Sequence, residues 1–120
     1  MDKQPDWQKK AEIALYSALR TQQKLSYNQL AQIAEIPSPY RIHKLTGWLE
    51  ETMLADCQQK KPLRAVMVVS KHSHMPATGF FEKAADLGLI TRNLSDSEKQ
   101  LWYEASCEKA YAYYQPESFA

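Results

Sequence analysis

The chain has 120 residues, 44% of them apolar and 24% charged, with 15 Lys and Arg against 14 Asp and Glu. That length and balance suit one globular domain with its own core, residues 1–120, and exclude a collagen-like or wholly disordered chain. No apolar run reaches the roughly 18 residues that a membrane helix needs, so no membrane partner is expected.

The charge is unevenly spread. Residues 1–94 hold 13 Lys and Arg against 9 Asp and Glu, a balance of +4. Residues 95–120 hold 2 against 5, a balance of −3. The first part is suited to face a polyanion and the last is not. Met1–Lys10 is polar and carries both signs, unlike a secretory signal. Cys57 and Cys107 stand far apart without a CxxC spacing, the pattern of free thiols in a reducing, cytoplasmic setting.

In chain order, Trp7, Ala11, Ala14, Leu15, Ala18 and Leu19 recur at steps of three and four, which predicts an amphipathic helix over about 5–22. Ser26-Tyr27-Asn28-Gln29 has the form of a capping box, in which hydroxyl and carboxamide reciprocally satisfy two amides of a helix start. The short helix that follows should bury Leu30, Ile33 and Ala34 and stop at Pro37. Ser38-Pro39 reads as the next start, with Ser38 as N-cap and proline in the first turn. Ile42, Leu45, Trp48, Leu49 and Met53 make the stripe of a third helix ending near Asp56. Two capped helices joined by a tight break have the form of a helix-turn-helix, about 26–56.

Val66, Val68 and Val69 predict a strand within Leu63–Ser70, and Lys71–Gly79 predicts an exposed basic turn, a short β-wing over about 63–79. Phe80, Phe81, Ala84, Ala85 and Leu87 restart a helical pattern that Gly88 would cap. Ser95-Asp96-Ser97-Glu98 is a second capping box. The helix after it should pack through Leu101, Trp102, Ala105, Ala110 and Tyr113, and the C-terminal helices extend to about 114. The expected class is α+β, mostly α: a winged helix-turn-helix with additional C-terminal helices.

Catalytic chemistry finds little support. There is no GxSxG, and the only three glycines, Gly47, Gly79 and Gly88, rule out a phosphate-cradling loop. His72 and His74 lie two apart in a predicted turn with Cys57 far upstream, which is not a zinc-ligand pattern. Neither a cofactor nor a metal is expected, and binding is the expected mode of action.

One family does come into view. Leu25-Ser26-Tyr27-Asn28-Gln29-Leu30-Ala31 resembles the S/T-Y-G-x-[LIV]-A segment of the alkylguanine DNA alkyltransferases and their alkyltransferase-like relatives. Pro37-Ser38 through Arg41, then Leu45 and Leu49, is similar to their recognition helix. Pro62-Leu63 followed by Val68-Val69 resembles the stretch that carries their active site. Order and spacing run in parallel over roughly residues 13–90. The resemblance implies a winged helix-turn-helix on the DNA minor groove, with Tyr27 rotating a base and Arg41 filling the gap. The departure is equally plain. Arg64-Ala65-Val66-Met67-Val68 stands where that family has P-C-H-R-V, so Ala65 replaces the alkyl-accepting cysteine and no alkyl transfer is expected. Pro62–Gly88 is also similar to a segment of small bacterial and phage proteins, which brings no activity with it.

The expected function is non-enzymatic binding of double-stranded DNA, as a transcriptional regulator or an alkyltransferase-like damage-binding protein. The expected contact residues are Tyr27, Arg41, His43, Lys44, Lys60, Lys61, Arg64 and Lys71. The alternative is a protein-interaction module, an adaptor or inhibitor, whose partner meets the acidic, tyrosine-rich C-terminal helix.

Overall fold

A computed structural model describes residues 5–115. Its elements are α1 (Asp6–Thr21), β1 (Leu25–Ser26), α2 (Tyr27–Ala34), α3 (Arg41–Gln58), a 3₁₀ turn (Arg64–Met67), β2 (Val68–Val69), α4 (Thr78–Asp86) and α5 (Asp96–Tyr113). The protein is α+β and mostly helical, and the two strands pair in parallel, Leu25 with Val68 and Ser26 with Val69.

The helix ends follow from local chemistry. α1 closes with Gln22 in the left-handed region, its amide donating to Ala18 O. Ser26 caps α2 as the sequence predicts: its Oγ accepts from Gln29 N at 3.1 Å, and Gln29 Oε1 accepts from Ser26 N at 2.9 Å. Ser95 and Glu98 repeat the arrangement at α5. After α4, Gly88 takes φ +79°, its amide bonding Ala85 O while Leu89 N bonds Ala84 O, the paired bonds of a Schellman motif.

The start of α3 differs from the expectation. Ser38 caps nothing, the Ser38–Pro39 peptide is cis, and the helix begins at Arg41 with Tyr40 as a left-handed N-cap. The cause lies in side chains that reach backward. The Arg41 guanidinium bonds Ile36 O and Ala31 O, and Lys44 Nζ bonds Pro37 O, so the helix head is drawn onto the end of α2.

The segment 63–70 is the second correction. The valines predict one strand, but only Val68–Val69 is extended, and Arg64–Met67 coils into a 3₁₀ turn. Every residue from Leu63 to Val69 is buried, with α1, α3 and α5 packed against the turn. A segment enclosed on all sides is shaped by its neighbours more than by β propensity. Tyr103 on α5 donates its hydroxyl to Val66 O at 2.6 Å, meeting a carbonyl that no strand partner reaches. Among the described residues no second strand returns from β2 to form a hairpin. In place of the expected wing is a tight turn, closed by Ser70 N to Met75 O and His74 N to Ser70 O.

The core joins Leu15 and Leu19 of α1, Leu30 of α2, Leu45, Trp48, Leu49 and Met53 of α3, Phe80 and Phe81 of α4, and Tyr103 and Cys107 of α5. Ile33 and Ile42, expected inside, lie outside it. On α5, Ala110 is buried and Trp102 half-buried as expected, but Leu101 is 68% exposed, Tyr113 43% and Ala105 exposed, and Tyr103, Cys107 and the C-capping Tyr114 face inward with Ala110 at steps of four, three and four.

Burial pushes the Tyr103 and Tyr114 phenols above their ordinary range; neighbouring Cys107 adds to this for Tyr103 and Asp56 for Tyr114. A phenol with a higher pKa in the fold than in the unfolded chain keeps its proton longer in the fold. Its stabilising effect is therefore full below the unfolded value of about 10 and declines as pH rises past it. Urea midpoints are expected to fall from about pH 10 upward, with a shallower fall in Tyr103→Phe. A flat alkaline limb in the unsubstituted protein contradicts this.

Candidate nucleic-acid interface

The consecutive helices α2 and α3 are joined by residues 35–40, and their facing ends form a cleft of about 470 Å³. Asn28, Gln32, Ser38, Tyr40, Arg41 and His43 are among its lining residues, and no carboxylate is. Asn28 and Gln32 are four apart on α2 and therefore share a helix face. Over residues 26–49 the only acid is Glu35, and Lys10 Nζ holds it at 2.6 Å. That bond, and the charge of Lys10, keep the exposed Glu35 carboxyl below its usual range.

The side chains at the head of α3 are not equivalent. Arg41 Nε lies 2.8 Å from Ile36 O and Nη2 lies 3.1 Å from Ala31 O, so the guanidinium neutralises the negative end of α2. Lys44 is half-buried, its Nζ 2.9 Å from Pro37 O. His43 and Tyr40 are exposed.

A second, smaller cavity has a volume of about 190 Å³. Tyr27, Leu49, Glu50, Met53, Ala65 and Phe80 line it, and its walls are mostly apolar. Consecutive residues of α2 face the two spaces, Tyr27 this one and Asn28 the cleft. The Tyr27 hydroxyl accepts from Ala77 N at 2.9 Å, which ties the turn after β2 to the start of α2. Burial raises the Tyr27 pKa, and the Ala77 bond partly opposes the rise. Glu50 carries the only charge in the lining. One of its carboxylate oxygens lies 3.8 Å from where a Cβ on Gly79 would sit, facing the positive end of α4.

The eight sequence-nominated residues thus divide. Tyr27, Arg41, His43 and Lys44 come together around α2 and the head of α3. Lys71 is exposed on the turn whose other end bonds Tyr27. Lys60 and Lys61 are exposed but lie past the far end of α3, roughly 27 Å along an 18-residue helix from Arg41. Arg64 does not contribute to a basic edge, because it is 8% exposed. Its Nε lies 3.1 Å from both carboxylate oxygens of Asp56, its Nη2 3.0 Å from Asp56 Oδ1 and its Nη1 3.2 Å from Glu12 Oε2. Burial works against its charge, but the Asp56 bonds outweigh that and lift its already high pKa. Its position between Leu63 and Ala65-Val66 was the available sign of an inward arginine.

Sequence reasoning missed Asn28, Gln32, Tyr40 and Glu50. For Tyr40 the signal was an aromatic in the break between two predicted helices. Among the described residues no group of three or more His, Cys, Asp or Glu side chains converges as a metal would need, and no helix is long and apolar enough to cross a membrane. No protein-family model, curated protein or solved structure matches the chain.

Proposed function

We propose that this chain is a non-enzymatic protein that binds duplex DNA through a helix-turn-helix made by α2 and α3, and that the cavity beside Tyr27 receives a base turned out of the stack. One observation carries the reading. Tyr27 and Ala65, which the alkyltransferase resemblance nominates for base rotation and for the acceptor position, are 38 residues apart in sequence and line the same cavity. Its apolar walls suit a flat, uncharged ring, and the carboxylate-free cleft suits a phosphate strand. The methyl group of Ala65 has no lone pair to accept an alkyl group, so the chemistry ends at recognition. In this reading the turn at 70–77, carrying Lys71, does the work of a wing.

Fluorescence anisotropy with labelled duplexes, with and without an O6-alkylated guanine, tests the proposal. Binding is expected at low salt, with log K falling by about 0.9 for each phosphate contact as log salt rises. Lys71→Ala is expected to reduce that slope by about one. The alkylated duplex is expected to bind about tenfold more tightly, or about 1.4 kcal/mol, and Tyr27→Ala to erase the preference. Absence of duplex binding at low salt overturns the proposal.

A protein-interaction module is the second reading, favoured by one observation: α5 leaves Leu101 and Tyr113 uncovered on a helix that carries Asp96, Glu98, Glu104 and Glu108. A stoichiometric protein partner that survives nuclease, and is lost in Leu101→Glu, supports it.

A further inference from the structure

We infer that Tyr40, and not Arg41, is the side chain that enters the base stack when duplex DNA occupies the cleft. The inference rests on the DNA-binding reading and names the wedge within it. Arg41 has both of its bonded nitrogens engaged on carbonyls of α2 and the residues just after it. Moving it into DNA strips two half-buried acceptors and releases the helix head that they hold. Lys44 is similarly engaged on Pro37 O. Tyr40 has no such duty. It is 76% exposed, the most exposed of the large apolar and aromatic side chains, and among the described residues its hydroxyl has no hydrogen-bond partner and its ring no aromatic neighbour. Its backbone sits at φ 61°, ψ 41°, the left-handed N-cap from which α3 departs, so the ring is set at the mouth of the cleft and outside the helical stripe.

The occupant follows from the surroundings. An uncovered aromatic ring flanked by the carboxamides of Asn28 and Gln32 and by His43, with no carboxylate in the lining, matches a nucleic-acid strand. Aromatic rings stack on bases whatever their sequence, and side chains wedged between base steps unstack and kink the duplex. Asn28 of the cleft and Tyr27 of the base cavity are consecutive residues of α2, so one helix start connects the wedge site to the space that would receive the displaced base.

The test uses the full chain and a duplex containing 2-aminopurine, whose fluorescence rises on unstacking. The unsubstituted protein is expected to raise the signal. Tyr40→Ala and Tyr40→Asn, the latter suited to the left-handed backbone, are expected to abolish the rise and weaken binding about tenfold, the loss of one stacked ring. Their salt slope should not change, since no charge is removed. Tyr40→Phe is expected to keep both signal and affinity. Far-ultraviolet dichroism of each variant should match the unsubstituted protein, as the ring is outside the core. If the unsubstituted protein binds duplex and Tyr40→Ala and Tyr40→Asn bind and unstack it equally well, the wedge assignment fails alone. If the unsubstituted protein binds no duplex at low salt, or binds only single strands, the DNA reading fails and the wedge with it.

Discussion

Asp56→Ala is expected to lower the stability of the fold by about 3–5 kcal/mol, the cost of leaving one member of a buried ion pair behind. Asp56 is 2% exposed. Its carboxylate accepts from the Arg64 backbone amide at 3.0 Å as well as from Nε and Nη2 of the same residue. Its loss leaves a guanidinium and an amide inside the core with only Glu12 and Tyr16 in reach, both of which meet Nη1 at the outer edge. The guanidinium also lies 5.6 Å from the centre of the Tyr16 ring, so its placement joins α1, α3 and the start of the 3₁₀ turn. Replacing both partners, as in Asp56→Leu with Arg64→Met, is expected to recover much of the loss, because an apolar pair needs no compensation for desolvated charge. Urea denaturation of the two single variants and the double variant measures the coupling. A loss under about 1 kcal/mol for Asp56→Ala, the range of an exposed pair, contradicts the buried role.

Tyr103→Ala is expected to cost about 3–5 kcal/mol, the range for removing a large buried aromatic. Tyr103 is among the largest fully buried side chains, its ring centre 6.3 Å from that of Phe80 in an edge contact. Tyr103→Phe separates the ring from the hydroxyl. It keeps the packing and leaves Val66 O without its 2.6 Å donor, for an expected loss of about 1–3 kcal/mol. The difference between the two variants apportions the attachment of α5 between packing and the hydrogen bond. If Tyr103→Phe is as stable as the unsubstituted protein, Val66 O has another donor. Tyr103 does not line the cleft, so under the proposed function duplex binding by the folded fraction should be unchanged.

The head of α3 differs from what a motif comparison implies. An arginine at the start of α3 reads from the resemblance as a contact residue, but its guanidinium bonds Ile36 O and Ala31 O and closes the turn beside the cleft. Arg41→Ala therefore acts first on the geometry of residues 36–40, and under the proposed function any effect on duplex binding is indirect. The exposed ring beside it, which carries no motif, is the side chain free to move.

The features legible in the sequence are short-range. Ser26 with Gln29, Ser95 with Glu98, and Gly88 each act within a few residues of a helix end, and their chemistry is complete in the local string. The periodicity of α1 and the burial of Trp48, Phe80 and Phe81 were legible for the same reason: a strong apolar stripe leaves one way to turn. The rest depends on contacts between elements distant in the chain. Arg64 looked like a surface cation because its partners Asp56 and Glu12 lie 8 and 52 positions away and meet it only when α1 and α3 pack. The valines of 63–70 looked like a strand because their enclosure by three helices leaves no mark on the local pattern. α5 showed its aromatic residues on several sides, and carbonyls far upstream, Val66 O for Tyr103 and Pro62 O for Tyr114, meet the two that turn inward. The helix pair at 26–58 was thus readable from the Ser26 cap and from Leu30, Leu45, Trp48, Leu49 and Met53, while the true start of α3 and the cleft were not. The freedom of Tyr40 depends on which carbonyls Arg41 and Lys44 reach, and that is settled only when α3 folds back onto the end of α2.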